Sequence, residues 1–373
     1  MTRALLAVSA AFLLNGALFG VWASRIPAFV EDFALEPGAL GRLLLCLAAG
    51  AILSFPLAGR LSDRIGAALA TRIIGIVYAL ALPLLALAPG VGWLAAALVL
   101  FGAGHGAMDV TMNAWAAEVE RARGRTTMPA FHAMWSLGAG LGALTGWAAA
   151  GAGLEPLAHF ALASVIFGVP AIWAGLIGWQ SARSSAKAGF ALPPRRLLAV
   201  GLFALCGSLG EGAIADWSAV FLTVVAAADQ AEAALGYFVY SGAMMAARLT
   251  APRVIDRFGP ISTARAAGLV AAAGLGLAIF GGSLATGLAG FALVGLGYSV
   301  VIPLAFSRAA NDAHVPPGRA IAGVATLGYG GMVLGPVVIG AIAQATSLPV
   351  AFGLIAIMAL GITALAGVLR NDA

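Results

Sequence analysis

Polar residues are sparse along this chain and punctuate long apolar runs. Separated by charged or Pro/Gly-rich breaks, these runs fall at about 4–25, 38–58, 68–88, 93–117, 130–150 and 156–179, and again at about 197–225, 234–251, 262–281, 286–308, 320–343 and 349–369. A helix crossing a hydrocarbon layer of about 30 Å needs roughly 20 apolar residues, so each run predicts one spanning helix. Strands of a membrane barrel would alternate over segments of about 10 residues; these runs are longer and apolar throughout. The pattern predicts an all-α membrane protein with twelve transmembrane helices.

The breaks themselves recur. "GRLSDRIG" at 59–66 matches "PRVIDRFG" at 252–259, and "FGAGH" at 101–105 matches "VGLGY" at 294–298, both at an offset of 193. "SLGAG" at 136–140 lines up with "TLGYG" at 326–330, and "WAS" at 22–24 with "WSA" at 217–219. The colinear order implies six spans repeated in the same orientation, giving two six-helix bundles. The expected organisation is 1–180 and 197–373 as the bundles. Between them, 181–196, "SARSSAKAGFALPPRR", is a polar, helix-breaking cytoplasmic linker.

Composition narrows the class. The chain is 62% hydrophobic and 9% charged, with a mean hydropathy of +1.01. A soluble domain runs nearer about 45–50% apolar and about 25% charged. An ordinary soluble enzyme, a nucleic-acid binder and a disordered scaffold are thereby excluded. The basic balance, with a pI near 9.8, reads as topology. With both termini inside, all 20 basic residues except Arg25 and Arg42 fall on cytoplasmic segments or helix ends. The outer loops carry Glu31, Asp32, Glu36, Glu155, Asp229 and Glu232. That is the positive-inside pattern of a multi-pass protein of a bacterial-type inner membrane. Basic clusters can also meet anionic lipid head groups. The first run is long for a signal peptide and has an internal counterpart, so it reads as a retained helix. Cys46 and Cys206 sit in separate apolar spans and read as small core residues, with no disulfide or metal site.

Parallel six-span repeats with "GRLSDRIG" after the second span resemble the major facilitator superfamily over the whole chain. The family's basic run after that glycine is replaced by Ala67, Ala68 and Leu69. The resemblance implies two bundles rocking around a midplane site in alternating access. It assigns a gating role to Asp63 and Arg64 and their counterparts Asp256 and Arg257. Asp63 can pair with a neighbouring arginine or cap a helix N-terminus; the plainer alternative makes both aspartates turn formers.

Ionisable side chains at membrane depth are costly, which makes each a candidate for function. Span 4 places His105, Asp109 and Asn113 at i, i+4 and i+8, on one helical face. His105 and Asp109 can hold or release a proton. Their counterparts in span 10 are Tyr298, Ile302 and Phe306, so one half supplies a titratable face and the other an aromatic or apolar wall. Span 7 carries Glu211 near its middle, among Gly207, Gly210 and Gly212, where the helix is expected to bend or break. Asp216 and Trp217 lie nearer its outer end, and Arg25 is a candidate partner for Asp216 in an outer gate or, alternatively, a snorkelling arginine. The "G-x-E" followed by Trp, with the Asp109/Asn113 spacing, resembles the fucose-permease-like branch of sugar:proton symporters. That branch has an acid in span 1, and "GVWASRIPAF" here offers none. Proton coupling is therefore assigned to Asp109, Glu211 and His105. Aromatic rings beside hydrogen-bonding groups suit a ligand with an apolar face and polar edges, assigning substrate contact to Asn15, Trp22, Asn113, His132, Trp135, Trp217, Tyr298 and Tyr329. Trp93, Trp173 and Trp179 read as interface anchors.

The leading expectation is a secondary transporter of a small organic, sugar-like solute, working as a monomer among membrane lipids. No phosphate loop, metal cluster or nucleophile motif stands in the sequence, so a proton gradient rather than a bound cofactor is the expected driving force. A drug/proton exporter is the rival within the class. The span 4 arginine and span 5 Gly-Pro such exporters carry are missing, and Gly335-Pro336 sits in span 11 instead. A lipid scramblase or ligand sensor is the rival outside it.

Overall fold

The apolar runs become helices in a computed structural model that describes residues 1–125, 127–181 and 193–370, with Pro317 and Gly318 described as backbone only. Most of the 181–196 linker lies outside the described residues. The first half contains α1 (Thr2–Asp32), α2 (Pro37–Ile65), α3 (Ala67–Ala86), α4 (Val91–Arg123), α5 (Met128–Gly151) and α6 (Pro156–Gly175). The second contains α7 (Leu198–Val225), α8 (Gln230–Phe258), α9 (Pro260–Gly281), α10 (Leu284–Tyr298), α11 (Val301–Ala310), α12 (Pro317–Ala345) and α13 (Leu348–Leu365).

Counting α10 and α11 as one, 10 described helices are long and apolar enough to cross a membrane. The two outside that set are α5 and α8, which have the length, at 24 and 29 residues, but are more polar. Glycines, His132, Trp135 and Trp147 dilute α5; Glu232, Arg248, Arg253, Asp256 and Arg257 dilute α8.

Two local expectations change. The glycine-rich stretch around Glu211 does not break its helix, since α7 runs unbroken from Leu198 to Val225. The interruption falls instead between α10 and α11, at Ser299–Val300. Pro303 has no N–H to offer the Ser299 carbonyl, and its ring crowds the same turn. The repeated loop also works differently from the capping reading. Gly66 and Gly259 take φ of 90° and 77°, which turns the chain sharply and which residues with a Cβ adopt only under strain. Gly66 is the N-cap of α3, and the Ala68 N–H donates to Ser181 Oγ at 3.0 Å, so Ser181 and not Asp63 serves that helix end. Asp63 is half-buried and Arg64 and Asp256 are exposed, none with an ion-pair partner among the described residues. Arg257 lies 5.4 Å from the Phe258 ring centroid.

Contacts divide the chain into two compact units: 1–35, 42–187 and 229–238, and 36–41, 188–228 and 239–373. Each unit repeats one packing scheme. In the first, α1 packs on α5 and α6, and α3 on α4 and α6; in the second, α7 packs on α12 and α13, and α9 on α10 and α13. The segments 36–41 and 229–238, which begin at an offset of 193, each join the unit that holds the other half's helices. The α1–α5 crossing is set by Gly16 and Gly20 on one helix and Gly138 and Gly142 on the other. A Cβ on any of them would collide with a carbonyl oxygen across the crossing, on Trp135, Ala139, Leu13 and Ala17 respectively. Small residues of this kind let membrane helices approach backbone to backbone.

An ionic cluster closes one end of the second unit. The fully buried Asp312 side chain sits 3.1 Å from Arg308 Nη1 and 3.4 Å from Arg196 Nε, and its Oδ1 accepts from the His314 N–H at 3.0 Å. Burial opposes its ionisation, but the His314 amide, the Arg308 hydrogen bond and the charges of Arg196 and Arg308 hold its carboxyl below the usual carboxylate range. A depressed folded-state pKa stabilises the fold above the unfolded value of about 3.9 and is lost as pH falls through the folded value. The melting temperature should therefore fall as the buffer is taken from about pH 6 to about pH 3, and part of that fall should vanish in Asp312→Asn. Parallel pH profiles for the two proteins would show that Asp312 carries none of it.

Candidate functional site

The first unit gathers polar and aromatic side chains around Asn15, which α1 holds fully buried. Its Nδ2 donates to the His105 carbonyl at 3.1 Å, and its Oδ1 accepts from Trp135 Nε1 at 2.8 Å. Tyr78, on α3, places its hydroxyl 3.2 Å from His105 Nδ1 and 3.4 Å from the Asn15 carbonyl. Phe19 covers this group, with ring centroids 5.1 Å from His105, 6.4 Å from Trp135 and 6.2 Å from Tyr237. Asn15, His105 and Trp135 are thus brought together, joined by Phe19, Tyr78 and Tyr237, which the sequence patterns passed over. One further turn along α4, Asn113 Nδ2 donates to both the backbone carbonyl and the Oδ1 of Asp109, at 2.8 and 3.0 Å. The expected His105–Asp109–Asn113 face therefore divides: the imidazole turns to Tyr78, and the carboxylate is held by Asn113. His132 is exposed and meets the Phe12 ring edge-on, at 5.2 Å.

The second unit centres on Glu211. Its Oε2 lies 3.7 Å from Arg248 Nη2 on α8, and its other oxygen, Oε1, is buried with no hydrogen-bond partner among the described residues. Tyr298 reaches the same level from α10, since a Cβ on Gly210 would strike its phenol oxygen. Among the described residues the Tyr298 hydroxyl is also unpartnered, as are Asp216 Oδ1, Trp217 Nε1 and Ser218 Oγ further along α7. Five buried polar atoms from α7 and α10 therefore have hydrogen-bonding capacity to spend, an arrangement costly enough to call for explanation. Arg248 is a candidate residue that sequence reading missed. The criterion used for Asp109 and Glu211, an ionisable group within an apolar run, applies to it equally.

The remaining candidates scatter. Trp22 is fully buried against Phe29, with ring centroids 5.2 Å apart, so it is part of the packed interior. Arg25 is buried and donates from Nη2 to the Leu154 carbonyl at 2.9 Å. Tyr329 is exposed. Of the tryptophans read as anchors, Trp93 and Trp173 are exposed, while Trp179 donates to Glu118 Oε2 at 2.9 Å.

A sequence model described as the Major Facilitator Superfamily matches residues 5–316. The uncharacterized transporter y4wD of Sinorhizobium fredii is 45% identical, aligned over 98% of this chain and 97% of its own. An uncharacterized MFS-type transporter of Yersinia pestis is 36% identical, over 95% and 92%. The membrane protein MosC of Rhizobium meliloti is 32% identical, over 92% and 84%. Among solved structures, the nucleoside transporter NupG is similar with a TM-score of 0.75 at 13% identity, covering 98% of this chain and 99% of that one. A bacterial homologue of the lysosomal transporter Spinster is similar at 0.70 and 16%, covering 98% and 96%. At such identities these two likenesses show the fold alone.

Proposed function

The chain belongs to the Major Facilitator Superfamily, a family of transporters and not of enzymes, and we propose that it is a proton-coupled secondary transporter of a small, sugar-like solute. The observation that carries this reading is Glu211, an acid inside a spanning helix, facing Arg248 with one oxygen unpartnered. Proton uptake by Glu211 would weaken the pair with Arg248, and proton release would restore it. A solute group that binds only one of those two states is thereby coupled to the proton. The His105–Tyr78–Asn15 group and Asp109 form the second polar centre, with Trp135 and Phe19 supplying apolar faces. Hydroxyl-rich edges and a flat apolar face on the solute complement such a lining.

The same reading has α5 and α8 cross the membrane with the other ten, their polar residues directed to protein. Both termini lie in the cytoplasm of a bacterial-type inner membrane, and the monomer works by alternating access. Asp63 and Asp256 act through the turns at Gly66 and Gly259, and Arg25 and Asp216 serve the outer gate. The test is accumulation of sugars and nucleosides in proteoliposomes under an inward proton gradient. Wild-type protein should concentrate a solute of this class and lose the effect when a protonophore is added. Asp109→Asn should abolish accumulation while leaving gradient-free exchange of the same solute within about threefold of wild type. Accumulation that survives both the protonophore and Asp109→Asn would overturn the coupling.

A further inference from the structure

We propose that the groove between α8, α9 and α10 is a binding site for an anionic phospholipid. The groove has a volume of about 520 Å³ and is walled by Ala247, Val254 and Phe258 of α8, Ala266 and Val270 of α9, and Leu296 of α10. Apart from exposed Ser262, its hydroxyl groups are spent on their own helices. Thr250 donates to the Ala246 and Ala247 carbonyls, Thr263 to that of Gly259, and Ser299 to that of Leu296. A polar solute would find few hydrogen bonds along these walls, whereas an acyl chain needs none.

The length of the groove fits one leaflet. From Ala247 to Phe258 the α8 wall rises about 16 Å at 1.5 Å per residue, close to half of a hydrocarbon layer of about 30 Å. Its shallow end, at the turn between α8 and α9, is basic. Arg253 and Arg257 flank Val254 and Phe258, and Arg265 adjoins Ala266, with Asp256 the one acid among them. Arg257 is tied to the rim, its guanidinium 5.4 Å from the centroid of the Phe258 ring that lines the groove. A negative head group at the arginines, with one chain down the groove, satisfies both ends. Basic pockets between membrane helices bind anionic head groups by this combination. The site lies wholly in the second unit and does not depend on which solute is carried.

The experiment titrates purified full-length protein in mild detergent with dioleoylphosphatidylglycerol or dioleoylphosphatidylcholine. Binding is read by native mass spectrometry and by melting temperature. Phosphatidylglycerol should bind at least tenfold more tightly and raise the melting temperature by mass action. Arg253→Gln and Arg257→Gln should each weaken it about fivefold, the equivalent of about 1 kcal/mol per arginine. Ala251→Phe, which fills the groove and leaves the arginines in place, should weaken it as strongly as the paired arginine changes. Wild-type protein is also labelled with a phosphatidylglycerol whose acyl chain carries a photoreactive group. Adducts are expected on 247–258 and 262–270. Equal affinity for the two lipids, or adducts confined elsewhere, would overturn the proposal whether or not the variants fold.

Discussion

Glu211→Gln should reduce gradient-driven accumulation to the level of protein-free vesicles. Glutamine keeps the size and hydrogen-bonding shape of the side chain but carries neither its charge nor an exchangeable carboxyl proton. Arg248 Nη2, 3.7 Å away in the native protein, then faces a neutral amide. Removing the negative charge opposite a mostly buried arginine is destabilising, so the variant should also melt earlier. These two consequences separate on adding Arg248→Gln. The double variant removes both charges and should regain part of the lost stability, yet it should remain unable to accumulate solute. Full accumulation by Glu211→Gln at normal protein levels would make the pair a structural tie between α7 and α8.

The largest effect on stability should come from the α1–α5 crossing. Gly20→Val puts a branched side chain where even a single Cβ would strike the Ala139 carbonyl carbon and oxygen. The clash is with main chain on a neighbouring helix, so no rotamer change relieves it and the two helices must separate. Core overpacking usually costs about 1–3 kcal/mol, and separating the helices that hold Asn15 against Trp135 should reach about 3 kcal/mol or more. A fall of several degrees in melting temperature, with poor recovery from membranes, is the expected outcome. Gly59→Val is the control, because nothing lies within 4 Å of a Cβ built there. If the two variants melt together, the crossing is not held by close approach of the backbones.

Much of the site was legible as a set of residue types, and little of it as a set of partners. His105, Asp109, Asn15, Trp135 and Glu211 stand out because polar groups at membrane depth are expensive and therefore rare. The i, i+4, i+8 spacing of span 4 puts His105, Asp109 and Asn113 on one face, but helical spacing says nothing of what that face meets. His105 turns to a tyrosine 27 residues away, and Asp109 is held by Asn113. Tyr78 carried no signal, being one more aromatic in an apolar run. Arg248 carried a signal that the positive-inside count absorbed. The break expected beside Glu211 shows the limit of local reasoning. Glycines permit a bend without requiring one, and α7 runs unbroken where it packs on α12 and α13. Pro303 removes a donor outright, and there the helix does part.

The sequence by itself determined what depends on composition and short-range geometry. Apolar runs of membrane-spanning length must form helices because lipid leaves the backbone no other hydrogen-bond partner. The 193-residue offset made two halves with the same internal order, and the repeated glycines at 66 and 259 allowed the same sharp turn in each. Only the tertiary structure decided which side chains share a charge or a hydrogen bond. It set Glu211 against Arg248, Asn15 between Trp135 and His105, and Asp312 among Arg196, Arg308 and the His314 amide. Those pairings depend on the register and rotation of packed helices, which vary with a few glycines at their crossings and leave no periodic trace along the chain.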